Sequence, residues 1–186
     1  MYVRLFVGLT TIVLTGIPVT TRQRESVKSM LRTNPISVTL TLGGGWFGPI
    51  KQAYRSTDNI PIVVWMTNNT DGPVKVCDSE TLVQDRPVLL RNGQQLDYRR
   101  EISELLAKIS DEPCDVVRVP VMIELRPNKP TMVGRFILSE GGHHSGNVRW
   151  YEPLAPGKYE LSLERLFDCC NGQGAKSETI SFEVRP

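Results

Sequence analysis

Ile36, Val38, Leu40 and Leu42 alternate with Ser37, Thr39 and Thr41. That strict period of two puts four apolar side chains on one face of a strand and leaves the other face polar. Residues 60–67 form a second apolar run, followed by Asn68-Asn69-Thr70-Asp71-Gly72 and a third run over 74–77. Asn and Asp-Gly tolerate positive φ, so this stretch reads as strand, turn, strand. A second hairpin is expected over 88–98, with Asn92-Gly93 at its tip. Further strands are expected at 116–126, 131–139, 148–151, 157–167 and 178–184. One segment departs from the alternation: Ile102, Leu105, Leu106 and Ile109 recur at three- and four-residue steps, which predicts a short amphipathic helix ending at Asp111-Glu112-Pro113. Eight or nine short strands with turn signals between them predict an all-β fold, an antiparallel β-sandwich with one short helical insertion.

The 186 residues suffice for one domain. A globular part of ~160 residues buries roughly two thirds of the surface its unfolded chain exposes, so folding requires no metal. Lys and Arg number 22 against 20 Asp and Glu, for a formal charge of +2. The two signs are interspersed, with no basic stripe, so nucleic acid is not an expected partner. At the N-terminus, Arg4 precedes an apolar run over 5–14, then Gly16 and Pro18. This is the layout of a secretory signal, with Gly16 or Thr20 as cleavage candidates. An uncleaved anchor is the alternative, because residues 3–19 approach the shortest span of a bilayer. We therefore divide the chain into a signal peptide or N-terminal anchor helix (1–21), a linker (22–35) and the sandwich domain (36–186). The product would be secreted or periplasmic, or membrane-anchored and facing outward. Cys77, Cys114, Cys169 and Cys170 are even in number and all lie downstream of the apolar run. In an exported chain they imply two disulfides. Bridging the adjacent Cys169 and Cys170 would distort the peptide between them, so Cys77 and Cys114 are each expected to take one. A link such as Cys114 to Cys169 contributes about 3–4 kcal/mol by the loop-entropy argument.

Residues 150–163, WYEPLAPGKYELSL, resemble the L-x-P-G-x-Y corner and following strand of bacterial immunoglobulin-like domains. Residues 177–184 are similar to their last strand. Residues 60–76, IPIVVWMTNNTDGPVKV, are similar to their strand–turn–strand opening, as found also in BsuPI-type proteinase-inhibitor domains. The resemblance implies an Ig-like antiparallel sandwich, with the Tyr159 ring in the core and its hydroxyl bonded back to nearby backbone. It departs from the antibody pattern where Leu161, not cysteine, stands two residues after Tyr159. The usual inter-sheet disulfide is therefore absent or replaced.

Several constellations bear on chemistry. Gly43, Gly45 and Gly48 spell G-x-G-x-x-G after a strand, but a dinucleotide site also needs a following helix and an acidic residue about 20 positions on. Pro49 follows instead, and Asp71, at the right distance, sits in a turn. No cofactor is expected. His143 and His144 are the only histidines; adjacent side chains on extended backbone point apart, whereas metal ligands converge. His, Ser145 and a carboxylate are too close in sequence for triad geometry, so an enzyme is not expected. Trp46, Phe47, Trp150 and Tyr151 either cap the ends of the sandwich or form, with His143 and His144, a loop-borne binding rim. The expected function is an exported, non-enzymatic binding or structural module whose partner is an extracytoplasmic protein or envelope component. The alternatives are an extracellular protease inhibitor, and a metal-binding protein or metalloenzyme built on the His143/His144 loop. Contact with the membrane would run through the N-terminal segment alone.

Overall fold

In β1 (Ile36–Leu42) the four alternating apolar residues are all buried. A computed structural model of the chain describes residues 34–44, 47–78, 81–111, 121–140, 149–167 and 173–186. The expected N-terminal helix lies outside these, and residues 34–186 cluster as one compact unit. β1 pairs antiparallel with β3 (Asn59–Asn68), from Ile36↔Asn68 to Leu42↔Ile62. A short strand, β2 (Ala53–Arg55), lies between them in sequence. The far side of β3 pairs with β8 (Thr131–Glu140), and β8 pairs in parallel with β9 (Arg149–Tyr151). The first sheet thus runs β1-β3-β8-β9. Pro61 sits inside β3, where a missing N–H would ordinarily break a ladder. It falls at an irregularity in the β3–β8 register, between Asn59 and Pro61, and its carbonyl accepts the Gly43 N–H.

The second sheet is built around β10 (Gly157–Leu166), which pairs with β5 (Asp85–Arg91) on one side and β12 (Ile180–Arg185) on the other. β6 (Gln94–Gln95) extends it beside β5, and β2 adds in parallel beside β12. β11 (Gly174–Lys176) pairs with the end of β10. The expected Asn-Gly hairpin joins β5 to β6: Asn92 and Gly93 have φ of 52° and 79°, as a two-residue turn of the favoured twist requires. Inward residues of both sheets join one apolar cluster, with Ile62 and Val64 facing it from β3, Leu89 from β5, and Leu161 and Leu163 from β10. All five are fully buried, and each such side chain is worth about 1.5–3 kcal/mol relative to exposure.

Two expectations change. The run over 74–77 does not return beside β3. As β4 (Val74–Asp78) it pairs antiparallel with β7 (Val121–Leu125) in a separate two-stranded ribbon. The turn before it is organised by the buried Asn68 side chain, not by the Asp-Gly pair. Asn68 Nδ2 donates to the carbonyls of Gly72 (2.7 Å) and Leu125 (3.0 Å), and its Oδ1 accepts from the Thr70 backbone N–H and hydroxyl. Gly72 is not among the glycines with positive φ. The described residues also hold two helices, not one: α1 (Thr81–Gln84) and the expected α2 (Arg100–Asp111). In α2, Ile102 and Ile109 are buried, whereas Leu105, on the predicted stripe, is 38% exposed.

Candidate functional site

The described residues of the glycine motif form a turn; Gly45 lies outside them. Gly43 and Gly44 have φ of 83° and 96°. The Gly43 N–H is taken by the Pro61 carbonyl at 2.9 Å, and the Gly44 N–H by the Gly48 carbonyl at 2.8 Å. These N–H groups, which would have to cradle a phosphate, are already engaged within the protein. A Cβ on Gly43 would sit 2.7 Å from the Pro49 carbonyl oxygen, so the backbone approach itself requires glycine there. Phe47 is half-buried beside this turn. Trp46, His143 and His144 lie outside the described residues.

Trp150 and Tyr151 do not form a rim. They are 0% and 2% exposed, because β9 closes the first sheet with its aromatic residues against the core. Trp150 meets Phe136 and Tyr98 at centroid distances of 5.9 and 5.4 Å. The Tyr151 hydroxyl donates to the Pro87 carbonyl (2.8 Å) and accepts the Leu89 N–H (3.2 Å), and the Tyr98 hydroxyl donates to the same Pro87 carbonyl. Desolvation pushes the Tyr151 phenol far above its ordinary value. Neither phenol is placed to act as a surface acid or base. Tyr159 behaves as a corner residue: its hydroxyl donates to the Ala155 carbonyl at 2.6 Å while its ring stacks on Phe182.

The most concentrated polar chemistry lies where sequence reasoning did not look. Arg165, on β10, is 1% exposed. Its Nη1 donates to both carboxylate oxygens of the fully buried Asp85, at 2.8 and 3.0 Å. Nη2 donates to Asp78 Oδ1 (3.0 Å), Gln84 Oε1 (3.0 Å) and the Val133 carbonyl (2.8 Å). Gln84 in turn donates through Nε2 to the carbonyls of Cys77 and Leu166. One guanidinium thereby links β10, β5, β8, β4 and α1. Gly134 admits it, since a Cβ there would lie 3.0 Å from Nη1. Period two along β10 puts Arg165 on the inward face with Tyr159, Leu161 and Leu163, but nothing local marks its partners. The only hint in the sequence is a lone Arg among the apolar positions of β10.

On the second sheet a cavity of about 480 Å³ opens between Gln52, the Asn92-Gly93 tip, Lys158, Glu160 and Glu183. A smaller one of about 250 Å³ lies beside Arg91, Asp97 and Glu152. Cys77 is 5% exposed; its N–H donates to the Phe167 carbonyl at 3.1 Å, and it stands opposite Met122 in the ribbon. Cys114, Cys169 and Cys170 lie outside the described residues. Among those described, no group of three His, Cys, Asp or Glu side chains is placed to hold a metal ion.

No family model matches the chain, and no curated protein matches it. Among solved structures it is similar to a β-glucosidase from Listeria innocua in complex with glucose, at 10% identity and a TM-score of 0.34. That alignment covers 81% of this chain and 16% of the enzyme. A likeness this slight carries no argument about fold or activity.

Proposed function

We propose that the chain is an exported, non-enzymatic binding module with an immunoglobulin-like sandwich architecture. The architecture is supported by the order β1-β3-β8 facing β2-β12-β10-β5, with β2 parallel to β12. The Tyr159 corner supports it too. Export is supported by the signal-like N-terminus and the even cysteine count. Two disulfides follow from that compartment, one of them at Cys77, whose backbone lies against Phe167, two positions before Cys169.

The observation that carries the binding role is on the ribbon. Val121 and Met122 are consecutive on β7 yet 62% and 55% exposed. Neighbouring side chains on a strand point to opposite faces, so the first two residues of β7 present apolar surface to solvent on both sides of that end of the ribbon. A protein partner would bury these side chains. The test is crosslinking capture by the tagged domain from the envelope or secreted fraction of its own cells, beside a Val121→Asp/Met122→Asp double variant. A specific partner recovered by the parent and lost from the folded variant is the expected result. Equal recovery by both, or no specific partner, overturns the reading.

A further inference from the structure

We propose that the cavity of about 250 Å³ beside Arg91 binds a small zwitterion, an α-amino acid with an apolar side chain. Arg91 would take its carboxylate, Asp97 its ammonium, and Leu96, Leu154 and Tyr159 its side chain. Period two along β5 places Arg91 on the same face as Asp85, Pro87 and Leu89, all buried. The inward row of this strand therefore ends in a half-buried guanidinium. Its Nη2 donates to the Pro156 carbonyl at 2.9 Å, and its Cζ lies 6.0 Å from the centroid of the Tyr159 ring. Gly157 permits this placement, since a Cβ there would lie 3.1 Å from Nε. Nη1 makes no hydrogen bond among the described residues, and no described carboxylate pairs with Arg91. A half-buried cation held by one carbonyl and an aromatic face is well placed for a charge-assisted bond to an anion.

The cavity's other charges are Asp97 and Glu152. Glu152 lies 3.2 Å from Arg99 Nε, so its charge is answered by a residue outside the lining. Asp97 makes no ion pair or hydrogen bond with any described residue, although it lines the same cavity as Arg91. One cation and one anion thus share a cavity without bridging each other. A ligand carrying both charges satisfies both. A simple anion would be repelled by Asp97, and a simple amine by Arg91. The hydroxyls of Tyr151 and Tyr159 are committed to Pro87, Leu89 and Ala155, so the remaining wall presents carbon. The volume lies below the ~300–1,000 Å³ of sites for drug-sized ligands, which suits an occupant the size of one amino acid.

The test is an amide NMR titration of the full chain with L-leucine and L-valine. Isocaproate, which lacks the ammonium, and isoamylamine, which lacks the carboxylate, are titrated beside them. Shifts are expected at the Leu96 and Ala155 amides, saturating with a Kd of about 1 mM or below. Both analogues should bind at least about ten-fold more weakly than leucine, the scale of one charge-assisted hydrogen bond. Asp97→Asn should abolish leucine's advantage over isocaproate, and Arg91→Gln its advantage over isoamylamine. Asp97 is exposed, so its variant decides the matter even if Arg91→Gln is destabilised by loss of the Pro156 contact. Absence of shifts with both amino acids, isocaproate binding as tightly as leucine, or an undiminished advantage in Asp97→Asn overturns the proposal.

Discussion

Gly43 shows how much one backbone position can decide. Its φ of 83° lies where L side chains are crowded, and a Cβ would also meet the Pro49 carbonyl at 2.7 Å. Gly48 has a similar φ of 79° but open space around it. Gly48→Ala should therefore cost about 1 kcal/mol from conformation alone. Gly43→Ala should cost more, because β1 and the turn must separate, and denaturant unfolding of the two variants measures the difference. Equal losses would mean that the close approach contributes nothing. The glycine was legible in the sequence as a turn residue; its contact with Pro49 was not, since that depends on how the turn folds back. What Arg165 binds was illegible for a related reason. Its partners Asp78 and Asp85 are 87 and 80 positions away, and no local pattern reports such a distance.

At the scale of elements, local signals succeeded where the deciding partner was near. The β1 alternation, the Asn92-Gly93 hairpin and α2 all follow from residues a few positions apart. β4 did not, because its pairing partner is β7, with Cys77 opposite Met122. The Asp-Gly spelling invited a hairpin, but the amide of Asn68 turned the chain away. For Trp150 and Tyr151 the sequence left capping and rim roles open, because adjacent strand residues normally divide between core and solvent, whereas β9 is covered on both faces. The stripe on α2 offers a quantitative check. Ile102 is 8% exposed and joins the core; Leu105 is 38% exposed. Ile102→Ala should cost about 2–4 kcal/mol by cavity formation, and Leu105→Ala under about 1. Thermal unfolding of both reads this out, and comparable losses would show that α2 is rotated from the orientation described.

For the molecule as a whole, Asp85 sets a pH dependence of stability. Its folded carboxyl titrates above the ordinary value of 3.8, at about 6, so the folded state binds the proton more tightly than the unfolded chain. Unfolding free energy from this group therefore falls as pH rises from about 4 to about 6, by at most about 3 kcal/mol, and is flat outside that window. Urea unfolding of the parent and of Asp85→Asn across pH 4–8 isolates the term by difference. The parent's unfolding free energy minus that of Asp85→Asn should be greater at pH 4 than at pH 8, and a constant difference refutes the sign. Asn68 has a separate consequence. Asn68-Asn69-Thr70 spells the acceptor for N-linked sugar, yet the Asn68 amide is 0% exposed and holds Gly72 and Leu125. In a eukaryotic secretory host, a glycan could be attached only before that amide is enclosed, and would then bar the chain from its native turn. Sugar occupancy at Asn68 would count the molecules caught before they folded.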